Sequence, residues 1–208
     1  MPPCVALAQR SRATDGGFWP ACAWCVGDSS LVKEVLLNHG LLGVVGDVLG
    51  ARKDVAGHNG LVGSAVVRQL KKKGFKKLIL IEKKKLDLRN FEKVSNYFKN
   101  KKIDYMVMAA ARAGGIIANS TNQMNFFLEN IEIQNSLLQL ALKKKIKRTI
   151  YLGTSCIYPK FSKVPILEES LLTGKLEKTN QCYAIAKISG IKLCDWPKGQ
   201  PGQFTRGC

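Results

Sequence analysis

Long apolar runs are missing from this chain, and so is any framework of cysteines. The most apolar stretch, Leu31 to Leu49, is broken by Lys33, Glu34, His39 and Asp47, which argues against a membrane span. Met1 to Arg12 has no apolar core of the length a secretory leader needs. The seven cysteines are odd in number and scattered. Cys22-Ala-Trp-Cys25 lacks the second ligand pair of a zinc site and the strand-then-helix setting of a redox motif. No metal is therefore expected, and reduced thiols fit a cytoplasmic setting. Acid is scarce as well: 15 Asp and Glu face 33 Lys and Arg, a formal charge of +18. Much of the excess is lysine in short runs, Lys71 to Lys73, Lys83 to Lys85 and Lys143 to Lys145. Runs of this kind can attract nucleic acid or an anionic membrane. These hold almost no arginine and no regularly interleaved aromatics, and lysines at helix C-termini complement the helix dipole. A lysine-biased surface is expected, with neither nucleic acid nor membrane as partner.

The 208 residues are enough for one domain with a sizeable core. Composition changes twice along them. Residues 1–53 are rich in Ala, Gly, Cys and Trp and read as an unassigned extension. Residues 54–194 are rich in Lys, Ile, Leu and Asn, and residues 195–208 return to Gly, Pro and Trp as an unrelated tail. Within 54–194, strand and helix patterns alternate. A glycine loop, Gly57 to Gly63, opens a helical stripe of Leu61, Ala65, Val66 and Leu70 that ends at Gly74. "KKLILIE" reads as a buried strand and "LDL", Leu86 to Leu88, as a short one. Phe91, Val94 and Phe98 mark a helix capped by Asn90, and "IDYMVMAAA" is a third strand. A long helix carries Phe126, Ile133, Leu137 and Leu140; "RTIYLGTS" is the next strand, followed by a loop and a helix bearing Tyr183. This alternation predicts an α/β fold with a doubly wound parallel sheet of the Rossmann type. The sheet is expected to end at an exposed edge near "RTIYLGTS".

Gly57-x-x-Gly60-x-x-Gly63 can turn the backbone tightly and bring it close to a pyrophosphate, with the free N–H groups of a helix N-terminus aimed at the anion. One feature opposes this reading: the preceding strand is "ARKDVAG", and Lys53 and Asp54 are poor residues for a buried central strand. Glu82, read as the end of the second strand, suits a ribose hydroxyl and NAD, whereas Lys83 and Lys84 suit a 2′-phosphate and NADP. The residues leave that choice open.

Two further signals follow in order. "YLGTSCIYPK" ends a strand, where ligands bind in open α/β sheets, and offers the Thr154 hydroxyl to a substrate oxygen. Tyr183 and Lys187 lie at i and i+4 on one helical face. An ammonium beside a phenol lowers its pKa, which suits a proton donor and acceptor.

The glycine loop, the strand-end hydroxyl and YxxxK together resemble the extended short-chain dehydrogenases/reductases. Within that family, "AGHNGLVGSAVVRQL", "AAARAGGIIAN", "LGTSCIYPK" and "LEKTNQCYAIAKISGIKLC" are similar to the GDP-L-fucose synthases, from Val55 to Cys194. The resemblance implies an NADPH-dependent epimerase/reductase that converts GDP-4-keto-6-deoxy-D-mannose to GDP-L-fucose, with NADP(H) as cofactor, NAD(H) left open, and a homodimer in the full-length family. It implies a cofactor site of Gly57, His58, Asn59, Gly60, Leu61, Val62 and Gly63, with Lys83, Ala109, Ala110, Leu152, Gly153, Thr154, Ser155 and Lys187. Thr154 stands where the family has a catalytic serine; Tyr183 gives the proton to the C4 oxygen, supported by Lys187; Cys156 serves epimerisation at C3 and C5. A second reading of Cys156 is a small core residue. Asn59 replaces a usual arginine, and neither His39 nor His58 sits where the family pairs a histidine with the cysteine. The chain thus reads as the amino-terminal half of such an enzyme, truncated before the substrate domain and inactive alone. Another nucleotide-sugar epimerase, reductase or dehydratase of the same fold is the alternative, or a non-catalytic basic nucleotide-binding module.

Overall fold

The computed structural model describes residues 50–164, 166–194 and 204–207. Cys22, Cys25, His39 and the Leu31 to Leu49 run lie outside the described residues. The strands are β1 Lys53–Ala56, β2 Leu78–Ile79, β3 Tyr105–Met108, β4 Arg148–Leu152 and β5 Phe204–Gly207. They form one sheet in the order β2-β1-β3-β4-β5, every pair parallel. The helices are α1 Leu61–Lys72, α2 Phe91–Phe98, α3 Ile116–Thr121, α4 Gln123–Lys143 and α5 Gln181–Cys194. The doubly wound parallel sheet expected from the alternation of patterns is the sheet observed.

Period-2 alternation along the strands separates two cores. Val55, Val107 and Ile150 pack with Ala65, Val66 and Leu70 of α1 on one face. Met106, Met108 and Tyr151 pack with Val94 and Phe98 of α2, Leu137 and Leu140 of α4, and Ile188 and Ile191 of α5 on the other. Asn90 caps α2 as its sequence suggested, its side-chain oxygen accepting from Lys93 N at 2.9 Å. The chain runs from β1 outward to β2, then returns to place β3 on the opposite side of β1. That reversal is a topological switch point, and the crevice beyond the strand C-termini there is the ligand position in open α/β sheets.

Four details differ from expectation. β2 is a half-buried, two-residue edge strand rather than a buried one, and Glu82 lies beyond its end, exposed. "LDL" is turn rather than strand: Asp87 turns back to accept from Arg89 N at 3.0 Å and pairs with its guanidinium. β4 is not an edge, because β5 pairs with it from Thr149↔Phe204 to Leu152↔Gly207. The short Phe204–Gly207 segment escaped notice because it follows a Gly/Pro-rich stretch. Lastly, β1 is central and fully buried despite Lys53 and Asp54. Lys53 Nζ lies 3.9 Å from the Phe75 ring centroid and 5.1 Å from that of Tyr105, so aromatic faces take the place of water. Burial lowers its pKa, with Asp104 pulling the other way. For Asp54, burial pushes the carboxyl up to about 7.

Candidate active site

The glycine loop leaves β1 and enters α1 in four residues, and two of its glycines are dictated by packing. Gly57 adopts φ +82, and a Cβ there would lie 2.5 Å from Ala110 N. A Cβ on Gly63 would lie 2.2 Å from Gly57 O and 2.8 Å from His58 Cα. The loop is thereby folded hard against Ala109 and Ala110 at the end of β3, where Ala109 N donates to Ala56 O at 2.9 Å. Gly60 is different. It is exposed, and a Cβ there would meet only Gly57 O at 3.4 Å, so the fold itself does not demand glycine. Asn59 beside it is also exposed; Leu61 and Val62 are half-buried as α1 begins. That helix has neither a side-chain cap nor an acid in its first turn, so its leading N–H groups and positive dipole end face the crevice uncompensated. His58 Nδ1 is buried and has no hydrogen-bond partner among the described residues. Lys83 is exposed in the turn after β2.

The other wall comes from β4 and α5. Leu152, Gly153, Thr154 and Ser155 lead from the strand end into a single 3-10 turn, Ser155–Ile157. Thr154 Oγ1 stands 3.5 Å from Cys156 Sγ. Lys187, 5% exposed, donates from Nζ to Leu152 O at 2.9 Å, which ties α5 to the C-terminal end of β4. Burial pulls its pKa down to about 8, against a counter-pull from Cys156. Tyr183, one turn earlier on the same face of α5, is half-buried and meets Phe126 of α4 edge-on, the centroids 6.5 Å apart. The strand-end residues and YxxxK, far apart in sequence, thus converge at the end of β4. Glu82 and Lys83 stay on the exposed turn beyond β2.

Sequence reasoning missed the amides that hold the loop after β3. Asn130 of α4, 3% exposed, accepts from Arg112 N at 3.0 Å and donates to Arg112 O at 2.9 Å. Asn119 of α3 donates to Gly114 O at 2.6 Å. Arg112 also pairs with Glu129 and lies over the Phe126 ring. The signal was available: Phe126, Asn130, Gln134 and Leu138 are spaced i+4 along α4, and amides on a buried stripe require partners.

A cofactor with an anionic pyrophosphate fits these residues, since the close-packed glycine loop leads into a helix start with neither a side-chain cap nor an acid in its first turn. No cluster of metal-binding side chains occurs among the described residues, and none of their helices is long and apolar enough to cross a membrane.

Known proteins are similar to this chain in sequence and in fold. GDP-L-fucose synthase 1 of Arabidopsis thaliana is 47% identical over 148 residues, 71% of this chain and 46% of that protein. The GDP-L-fucose synthase of Escherichia coli is 43% identical over 152 residues, 73% of this chain and 47% of that one. Among solved structures, the GDP-mannoheptose C4 reductase MlghC of Campylobacter jejuni with NADP bound superposes with a TM-score of 0.73 at 33% identity, covering 77% of this chain and 48% of that one. A GDP-L-fucose synthetase of Naegleria fowleri bound to NADP gives 0.68 at 29%, covering 76% and 53%. The chain spans about half the length of the curated relatives it matches. Residues 55–205 match the NAD dependent epimerase/dehydratase family, reaching into β5, and the chain belongs to that family.

Proposed function

We propose that the chain supplies the cofactor-binding and catalytic half of an NADPH-dependent epimerase/reductase acting on GDP-4-keto-6-deoxy-D-mannose to give GDP-L-fucose. The observation that carries this reading is the convergence at the end of β4: Lys187 fixed to Leu152 O, one turn from Tyr183, with Thr154 and Cys156 directly downstream. Gly57 to Gly63 and the start of α1 would hold the pyrophosphate, with Ala109, Ala110 and Leu152 to Ser155 along the rest of the cofactor. When bound, the nicotinamide supplies a hydride for the C4 ketone.

The chain's own groups do the rest. Thr154 donates a hydrogen bond to the ketone oxygen and polarises it. Tyr183 delivers a proton to that oxygen, and the Lys187 ammonium favours the phenolate left behind. Protons beside the ketone are acidic, and Cys156 removes them at C3 and C5 as thiolate, a proton from solvent returning to the opposite face of each carbon. Gripping the GDP-sugar falls to residues beyond the span shared with the relatives, so the chain alone is expected to turn over poorly. Positioning alone can contribute roughly 7–11 kcal/mol to a barrier. The sequence boundaries of 54–194 for the cofactor domain extend in this reading to Lys53 of β1 and to β5, which belong to the same sheet, and the intact enzyme is a soluble cytoplasmic homodimer.

The test uses a fusion to the carboxy-terminal half of the Escherichia coli relative, given NADPH and the keto sugar. GDP-L-fucose should form, and Tyr183→Phe should abolish it while NADPH binding persists. A folded fusion that binds NADPH but forms no product overturns the substrate assignment. The likeness to the GDP-mannoheptose C4 reductase favours a second reading, reduction of another GDP-4-keto sugar without epimerisation. Deuterium uptake at C3 and C5, lost in Cys156→Ser, separates the two.

A further inference from the structure

Beneath Lys187 lies a buried polar assembly to which neither the family motifs nor the proposed chemistry assigns a role. Tyr151 of β4 is 2% exposed, and the Lys187 ammonium sits over its ring, 4.7 Å from the centroid. The Tyr151 hydroxyl donates to Gln134 Oε1 of α4 at 2.7 Å. Gln134 Nε2 donates to Ser189 Oγ of α5 at 2.8 Å, and Ser189 Oγ donates to Ala186 O one turn back, also at 2.8 Å. One side-chain amide therefore joins the strand and both helices that enclose the lysine. Gly190 is shaped by the same assembly: a Cβ there would lie 2.5 Å from Tyr151 Cζ and Oη and 2.8 Å from Gln134 Oε1. Helix α5 can approach β4 closely enough to place Lys187 only because residue 190 has no side chain.

We infer that Tyr151 is a positioning residue for Lys187, its ring the seat on which the ammonium is held and the Gln134–Ser189 relay the clamp that fixes the seat. This inference rests on the reading of Lys187 as the partner of Tyr183. A buried ammonium is held in its charged form by what faces it. Leu152 O contributes one hydrogen bond and the ring quadrupole a second attraction from below. The titratable groups around the site are Cys156 after β4, Tyr151 itself, and Tyr183 and Cys194 on α5; α4 contributes the neutral Gln134. Burial raises the Tyr151 phenol far above its ordinary value, so the ring stays neutral whenever Lys187 titrates. A ring that withdrew would leave Lys187 more readily deprotonated, and Tyr183 would lose the neighbouring charge that favours its phenolate.

The test is a proton and carbon NMR titration of the lysine side chains of the whole chain, with Lys187 assigned by its disappearance in Lys187→Met. In the unaltered protein, the ring predicts that the Lys187 Hε resonances lie upfield of those of the surface lysines. Tyr151→Phe keeps the ring and is expected to keep both the upfield displacement and the titration midpoint. Tyr151→Leu keeps bulk and loses the ring, and its Lys187 midpoint is expected to fall by about one pH unit. Unshifted Hε resonances in the unaltered protein, or equal midpoints in folded Phe and Leu variants, overturn the inference. Should Tyr151→Leu not fold, the Hε displacement in the unaltered protein decides alone. None of these readouts needs a cofactor, so a failure of NADPH to bind would count against the proposed function and leave this inference standing.

Discussion

The two walls of the crevice are built from opposite materials. The wall at the end of β1 is backbone: Gly57 and Gly63 have no room for a Cβ, and the N–H groups of α1 are its chemical content. The wall at the end of β4 is side chain: Lys187, Tyr151, Gln134 and Ser189 form a buried network drawn from three elements. A backbone site is specified by a few adjacent residues and fails by steric clash. A side-chain site is specified by partners distant in sequence, and it fails by leaving a buried group unpaired.

Asp54 should break the comparison most strongly, because it places a side-chain burden under the backbone wall. Its carboxyl is raised from 3.8 to about 7 in the fold. The folded state therefore holds the proton more tightly than the unfolded chain does. The stability that Asp54 contributes is greatest below pH 4, falls as pH rises toward 7, and is flat beyond. The full span corresponds to roughly 4 kcal/mol by linkage. Asp54→Val is expected to flatten that slope in denaturant melts across pH and to be the more stable protein at pH 8.

Next in size is Gly57→Ala, where a positive φ and a contact with Ala110 N at 2.5 Å combine. A loss of roughly 3 kcal/mol is expected in a thermal melt. Gly60→Ala should lose little, and an equal loss in the two would contradict the division of labour within the loop. On the other wall, Gln134→Leu strands the Tyr151 hydroxyl and should cost about 2 kcal/mol. Adding Tyr151→Phe should recover part of that, a non-additivity that a double-mutant cycle measures. The smallest effect belongs to a site outside both walls: Asn90→Ala removes the cap on α2 and should cost about 1 kcal/mol.

The same contrast explains what the sequence disclosed. The glycine loop and YxxxK are local patterns, so their elements and their place at the sheet's C-terminal edge were legible. That Asn130 and Gln134 need partners could be read from their buried stripe, but which partners, and the purpose of Gly190, could not, since these come from the loop after β3, from β4 and from each other. "LDL" has a strand's alternation, but Asp87 and Arg89 pair with each other within a turn. Lys53 and Asp54 argued against β1 on grounds that remain sound physically. Packing overrode them: Phe75 and Tyr105 shelter the ammonium, and neutralisation is the route open to the acid. β5 lay hidden in a tail whose Gly and Pro content spoke for a loop.

The central claim is that the crevice at the switch point is a working dinucleotide site. Titration of the folded chain with NADPH, followed by nucleotide fluorescence, tests it most directly, with Gly60→Val alongside. Gly60 is exposed and free of backbone clash, so valine there spares the fold and obstructs only what approaches the loop. The account predicts saturable binding that Gly60→Val weakens by roughly tenfold or more. A folded chain that binds neither NADPH nor NADH, or a Gly60→Val variant that binds as tightly as the unaltered chain, would contradict it.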